Sequence, residues 1–165
     1  NFYTLGFPNE EVKYGFLECL LPEYVGSDGS GTGKDILSLR RYLRSGNLES
    51  LKNALTALFA GIPYSANDAP FEHYFQTVIY LVFTLLGQYV HVEQHTYTGR
   101  IDCIVETDDY IYLFEFKRDG SADEALAQIT EKGYALPYAA DPRKLYKIGV
   151  SFNSASRMLE EWKEE

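Results

Sequence analysis

Ile101-Asp-Cys-Ile-Val-Glu-Thr-Asp-Asp-Tyr-Ile-Tyr-Leu-Phe-Glu-Phe-Lys117 is the stretch whose pairing decides how this chain folds. Two runs rich in β-branched and aromatic residues flank Asp108-Asp109, which reads as a hairpin. A two-residue loop at Asp108-Asp109 and a four-residue loop from Thr107 to Tyr110 give one register, with Asp102 directly opposite Glu115. A three-residue loop would slip the pairing by one and send the two carboxylates to opposite faces. Lys117, two residues after Glu115, shares its face. Before it the strand is apolar on both sides, with Tyr110, Tyr112, Phe114 and Phe116 on one and Ile111 and Leu113 on the other. That is the pattern of a central strand. Its charges come only at the end, where a buried sheet opens into a cleft.

Two facing carboxylates and an ammonium are the parts that metal-assisted phosphodiester hydrolysis needs. Carboxylate oxygens hold a hard dication such as Mg²⁺ and leave positions open for water and phosphate. A lysine beside them can orient the water or neutralise developing charge. The competing reading of Glu115-Phe116-Lys117 is a solvated salt bridge, but a salt bridge does not require the second carboxylate, Asp102. The two readings differ in energetics. Bare facing carboxylates should store about 1–3 kcal/mol in the metal-free site, so Glu115→Gln should raise metal-free stability. A Glu115–Lys117 bridge predicts the reverse.

Working outward, the sequence predicts strands over Tyr89 to Thr98, Ile101 to Glu106, Tyr110 to Lys117 and Lys144 to Phe152. A helix runs from near Asp68 and Pro70 through Glu72 to about Leu86, with Gly87 as its stop. Ser121-Ala-Asp-Glu124 is a capping box opening a helix to roughly Tyr134, and Ser154 to Trp162 reads as a closing helix. Residues 1–60 read as helical, over Glu10 to Val25, then Ile36 to about Gly46, then Leu48 to Gly61. Gly26 to Gly33 is a loop by composition. The expected architecture is α/β, with an α-β-β-β-α-β core over residues 61–165 and a small helical extension over 1–60.

With 45% apolar residues in 165, the chain can bury a sizeable core. The apolar run from Val78 to Leu86 is about half a bilayer span, so no membrane partner is expected. Cys19 and Cys103 are far apart and lack metal-ligand spacing, which fits a reduced, cytoplasmic setting. The chain opens at Asn1-Phe2-Tyr3 without an initiator Met and reads as part of a longer protein. Its net charge is −9, and residues 61–165 carry most of the acidity. Bulk charge therefore cannot drive phosphate binding. A nucleic-acid partner must be met through a local patch, metal ions or another domain.

Asp102, then Glu115-Phe116-Lys117 on the next strand, then Gln128 on the following helix resemble the PD-(D/E)XK nuclease superfamily, whose core has the same element order and is restriction endonuclease-like with a mixed sheet. Gly99-Arg-Ile-Asp102, Phe114-Glu-Phe-Lys117, Ala125-Leu-Ala-Gln-Ile129 and Ile148-Gly-Val-Ser-Phe152 resemble, more narrowly, an uncharacterised bacterial family. In that family a nuclease-like domain follows an AAA-ATPase-like domain. Leu5-Gly-Phe-Pro-Asn-Glu-Glu-Val12 and Ile62-Pro-Tyr64 extend the likeness over most of the chain. The resemblance implies Asp102 and Glu115 as metal ligands, Lys117 as catalytic lysine, and Glu72 as the acidic residue completing the site. It implies Mg²⁺, with Mn²⁺ as its alternative, a DNA or RNA substrate, and an ATPase-like partner domain. Gln128 would shape the substrate pocket. A Gln-x-x-x-Tyr pattern would need tyrosine where this chain has Lys132, and Tyr134 follows two later; Lys132 could instead meet phosphate. Glu72 reads alternatively as an exposed first-turn glutamate, and Gln128 as a polar neighbour of Ile129. A binding or regulatory module on the same fold is the rival to an enzyme.

Gly29-Ser-Gly-Thr-Gly-Lys34 lacks the Gly and Ser/Thr that a phosphate-binding loop needs at Asp28 and Asp35, so ATP binding by this segment is not expected. His73, His91 and His95 form no ligand spacing; His91 and His95 share strand parity and read as a solvated face.

Overall fold

The computed structural model describes residues 6–25, 32–61, 71–87, 90–97 and 100–165, and within these not the side chains of 25, 32–33, 71–76, 93–97 and 100–102. Helices α1 (Glu10–Val25), α2 (Thr32–Ser45), α3 (Leu48–Ala60) and α4 (Phe71–Leu86) precede strands β1 (His91–Tyr97), β2 (Arg100–Glu106) and β3 (Tyr110–Arg118). Helix α5 (Ala122–Glu131), a 3-10 turn at Leu136–Tyr138, β4 (Lys144–Asn153) and β5 (Met158–Glu164) complete the chain. The sheet order is β1-β2-β3-β4-β5, antiparallel except for the parallel β3–β4 pair. The parallel pair requires a crossover, which α5 supplies. The fold is the mixed α/β, restriction endonuclease-like arrangement that the sequence predicts. None of the described helices is long and apolar enough to cross a membrane.

Period-two alternation divides the core between the two faces of the sheet. Tyr112, Phe114, Phe116, Val150 and Phe152 join Leu21, Leu39, Leu43, Leu51, Leu55, Phe59 and Val82 in one continuous core under the first four helices. Phe59 packs edge-on to Phe152 with ring centroids 4.9 Å apart. The buried Tyr112 hydroxyl donates to the Leu43 carbonyl at 2.6 Å, which at the end of α2 accepts otherwise, among the described residues, only from the Gly46 amide at 3.5 Å. Burial pushes this phenol up, well above its ordinary value, so it stays a donor. On the other face Ile111 and Leu113 meet Leu126 and Ile129 of α5 in a smaller cluster.

Two elements end differently from the sequence reading. Helix α5 stops at Glu131 rather than near Tyr134, because Gly133 turns left-handed at φ 65°. The Tyr134 amide then closes back on the Ile129 carbonyl and the Gly133 amide on that of Thr130, a Schellman stop. The expected helix over Ser154 to Trp162 is instead a turn followed by strand β5. Asn153 Oδ1 accepts from the Ala155 and Ser156 amides, and Arg157 takes φ 58°. Backbone pairing along the open edge of β4 outweighs the helical spacing of Leu159 and Trp162. The proposed cap Asp68 and Pro70 lie outside the described residues, as does most of the Gly26 to Gly33 loop. Thr32 and Gly33 already belong to α2.

At the hairpin end, Arg143 ties three segments together. It donates to Glu106 at 2.7 Å, to the Thr107 carbonyl at 3.0 Å, and through Nε and Nη2 to Asp141 at 2.9 and 2.7 Å. These bonds hold the Asp141 carboxyl down at about 2. A depressed carboxyl favours the fold at pH above the ordinary carboxylate range, and that contribution disappears as pH falls through about 2. Chemical-shift titration should place the Asp141 midpoint near 2, and Arg143→Gln should raise it part of the way to the ordinary range, because the backbone amide of residue 143 still donates to the carboxylate. A midpoint unmoved by that substitution would disprove the clamp.

Helix α5 sits close enough to β4 that a Cβ on Gly149 would lie 2.3 Å from the Ala122 carbonyl and 3.1 Å from Ala125 Cβ and Leu126 Cγ. Backbone cannot yield as a side chain can, so Gly149→Ala should lower unfolding free energy by about 3 kcal/mol, the upper end of overpacking costs. Urea unfolding measures this. An unchanged midpoint would mean that α5 docks further from the sheet.

Candidate active site

The described hairpin has the register expected from its turn, with Ile101 opposite Phe116 and Asp102 opposite Glu115. The Thr107 amide donates to the Tyr110 carbonyl at 2.9 Å, and the Thr107 hydroxyl accepts from the Tyr110 amide at 3.0 Å. This tight closure leaves no room for a slip. On the other flank Glu115 stands beside Gly149 and Lys117 beside Ser151. Glu115 thus occupies the middle of the sheet at the position where α5 approaches most closely, and its side chain is wholly buried.

Dehydrating a carboxylate requires compensation. Lys117 Nζ supplies it, 3.1 Å from Glu115 Oε1. The Lys117 ammonium also donates to Gln128 Oε1, so carboxylate, ammonium and amide form one chain from β3 to α5. The lysine side chain keeps 20% of its exposure, which leaves the cluster in contact with solvent there. Gln128 Nε2 is buried and finds no acceptor among the described residues. A buried donor left in this way fits an oxygen-rich ligand entering beside Lys117.

The capping box expected at the start of α5, together with residues that the sequence did not single out, fixes this geometry. The Ser121/Glu124 capping box closes both ways at the start of α5, and Glu161 of β5 accepts from the Ala122 amide at 2.8 Å. Ser151 donates to the Gly120 carbonyl at 2.5 Å, pinning the turn after Lys117. In the same turn Asp119 takes φ 53° and accepts from the Ser154 amide at 2.7 Å. That bond holds the Asp119 carboxyl below its ordinary value. A glycine inside a strand signals close backbone approach, so Gly149 was discoverable. Glu161 was hidden by reading its segment as a helix.

The structure brings Glu115, Lys117 and Gln128 together and sets the Asp102 backbone opposite Glu115. Lys132 and Tyr134 lie past the last residue of α5 and pair with each other, the ammonium 5.3 Å from the ring centroid. Tyr134 packs against the small core around Ile129 rather than joining Lys117. Glu72 falls in the first turn of α4, but its side chain and that of Asp102 are outside the described residues. Among the described residues no three carboxylate, imidazole or thiol side chains gather into a metal site. The donors at this point of the sheet are carboxylate oxygens, whereas the Cys103 thiol is buried in the core on the opposite face. That donor chemistry fits a hard, oxygen-loving dication rather than a thiolate-bound metal.

The site is not a pair of bare carboxylates. Sequence reasoning weighed mutual repulsion against a Glu115–Lys117 bridge, and the structure contains the bridge. Metal-free energetics are therefore governed by a buried carboxylate with its own internal cation.

Comparison with known proteins bears on the same residues. An uncharacterised protein of the vnfD 5′ region in Azotobacter chroococcum mcd 1 is 37% identical over 163 residues, which is 95% of this chain and 31% of the relative's length. The family profile of the PD-(D/E)XK nuclease superfamily matches residues 70–162, from the first turn of α4 to β5. Its span takes in the β2–β3 hairpin, the glutamate–lysine pair and the α5 crossover, and this chain belongs to the PD-(D/E)XK nuclease superfamily.

Proposed function

We infer that this chain hydrolyses phosphodiester bonds in DNA or RNA with Mg²⁺, or with Mn²⁺ in its place. The observation that carries this reading is the Asp102–Glu115 register with Lys117 bonded to Glu115. In this reading Glu115 and Asp102 hold the dication and Glu72 completes the site through metal or water. A bound dication would polarise the phosphoryl oxygen and acidify a water molecule. Lys117 orients that water or balances charge developing on the phosphoryl group. Gln128 holds the ammonium in place and turns its free amide N–H groups toward the substrate. Lys132 and Tyr134, on the far side of the helix stop, would border the substrate channel.

The chain spans 31% of its relative's length, and in this reading the activity is that of a larger bacterial, cytoplasmic protein. The nuclease-like part is assigned to residues 61–165, with 1–60 linking it to a preceding AAA-ATPase-like domain. A second reading, a binding or regulatory module with weak or absent cutting, is favoured by the net charge of −9 and by a lysine already committed to Glu115.

Two experiments separate these readings. Glu115→Gln should destabilise the metal-free protein by about 1–3 kcal/mol, since it strips a partly solvated lysine of its buried partner. Calorimetry without metal checks this, and a mutant that melts higher would show that carboxylate repulsion dominates. In wild type, Mg²⁺ at a hundred times its Kd should add about 2.7 kcal/mol by mass action, an increase that Glu115→Gln should erase. A wild type indifferent to millimolar Mg²⁺ would make Glu115 structural.

Activity is the other test. With Mg²⁺ or Mn²⁺ the protein should degrade or nick nucleic acid, and Lys117→Ala should abolish cutting at a temperature where calorimetry shows the variant folded, since it leaves Glu115 buried without its cation. Cutting that survives the substitution would belong to another site. An absence of cutting with the complete relative-length protein would favour the binding module.

A further inference from the structure

In so acidic a chain, helix α2 stands apart. Its residues 32–45 hold Lys34, Arg40, Arg41 and Arg44 against the single acidic Asp35. Helical periodicity sorts them. Ile36, Leu39 and Leu43 are buried in the core, and Asp35 faces the groove toward α3, which Ala54 and Leu58 line. The remaining stripe is Lys34, Leu37, Arg40, Arg41, Arg44 and Ser45. The last five of these line one concavity of about 360 Å³. Among the described residues no acidic side chain lines it, and Leu37 within it is 46% exposed. From Lys34 to Arg44 the stripe runs about 15 Å at ~1.5 Å per residue.

The stripe is held in place at both levels of structure. Arg41 lies 5.3 Å from the Tyr42 ring centroid and donates to its hydroxyl at 3.5 Å. The helix itself is anchored by the Tyr112 bond to Leu43 and by the close seat of Gly46 under the Tyr110 ring. A preorganised row of guanidinium groups suits phosphate oxygens, which they meet in a planar fork.

We propose that this α2 stripe is a nucleic-acid docking surface that binds the phosphate backbone at a distance from the Glu115–Lys117 cluster. The distance follows from the anchor points. Helix α2 ends against Tyr110 and Tyr112, and Lys117 lies five to seven residues further along β3, roughly 20 Å at ~3.3 Å per residue. The stripe also stands on the face of the sheet opposite to Glu115. With the two on opposite faces, a straight duplex does not meet both at once, and a substrate held by the stripe reaches the cluster only by bending round the sheet. The stripe supplies affinity and orientation for long substrates, and a short one reaches the cluster without it. Acidic surface elsewhere repels the backbone, which concentrates first contact at the basic stripe. The proposal shares with the nuclease reading its ligand, nucleic acid, but not the claim that the ligand is cut.

Fluorescence anisotropy of the full chain without divalent metal tests it, using a labelled 20-base-pair DNA duplex and a 20-nucleotide RNA as probes. Arg41→Gln with Arg44→Gln, both exposed positions, should weaken binding tenfold or more near ~0.1 M salt and reduce the log–log salt slope by about 2. Lys52→Gln with Lys147→Gln makes the same change of charge elsewhere and should leave both nearly unchanged. Equal loss in the two double variants would reduce the effect to bulk charge and overturn the proposal. So would an unaltered Kd in the arginine variant, or a wild type that binds neither probe. A polyglutamate peptide competing as well as the duplex would also overturn it, in favour of an acidic protein partner. Binding through the stripe by a protein that never cuts would leave the proposal standing and remove the nuclease reading instead.

Discussion

A carboxylate cut off from water in the middle of a sheet must have a cation beside it, and the arrangement of this protein follows from that requirement. Glu115 is wholly buried because α5 closes over the neighbouring strand. Lys117 can compensate it only from the same face of the same strand, two residues on. The lysine in turn needs Gln128 from the helix above. Strand β3 and helix α5 are therefore coupled through a polar chain as well as through packing, and the crossover joining β3 to β4 cannot shift without exposing the charge.

The two faces of the sheet have divided their tasks. One carries the large aromatic core of Tyr112, Phe114, Phe116 and Phe152 under four helices, which sets where the strands lie. The other carries a thin apolar cluster and the polar residues, with α5 as its only described helical cover. Rigidity is thus supplied from behind, and the chemistry-bearing side chains face a layer held mainly by caps and hydrogen bonds. Glu161, Ser151 and the Ser121/Glu124 box are the fastenings of that thinner layer.

The hairpin was the most legible part of the chain, because its turn residues and double-sided apolar pattern constrain register and burial together. The Ser121 box and the end of α4 at Gly87 were legible for the same reason, each being a local signal with one structural outcome. The segment after Asn153 was not. Met158, Leu159 and Trp162 have a spacing that a helix also satisfies, and only the free edge of β4, a tertiary fact, decides for a strand. The Glu115–Lys117–Gln128 chain was half legible. Spacing put Glu115 and Lys117 on one face, but whether the lysine meets the carboxylate or points to solvent depends on how tightly α5 descends. That depends on Gly149, thirty-four residues away from Glu115 in sequence.

Strand β5 has a further consequence for how the protein meets its own kind. Among the described residues it is the last strand of the sheet, and an edge strand offers its outer backbone groups as the feature by which sheets extend from one molecule to the next. Its sequence, Met158-Leu-Glu-Glu-Trp-Lys-Glu164, is mostly charged, and the charges are predominantly of one sign. Two such strands brought side by side in parallel, in-register pairing would oppose Glu160, Glu161 and Glu164 to their own copies. The strand that secures α5 through Glu161 is thus also a charged edge, a composition that discourages edge-to-edge growth.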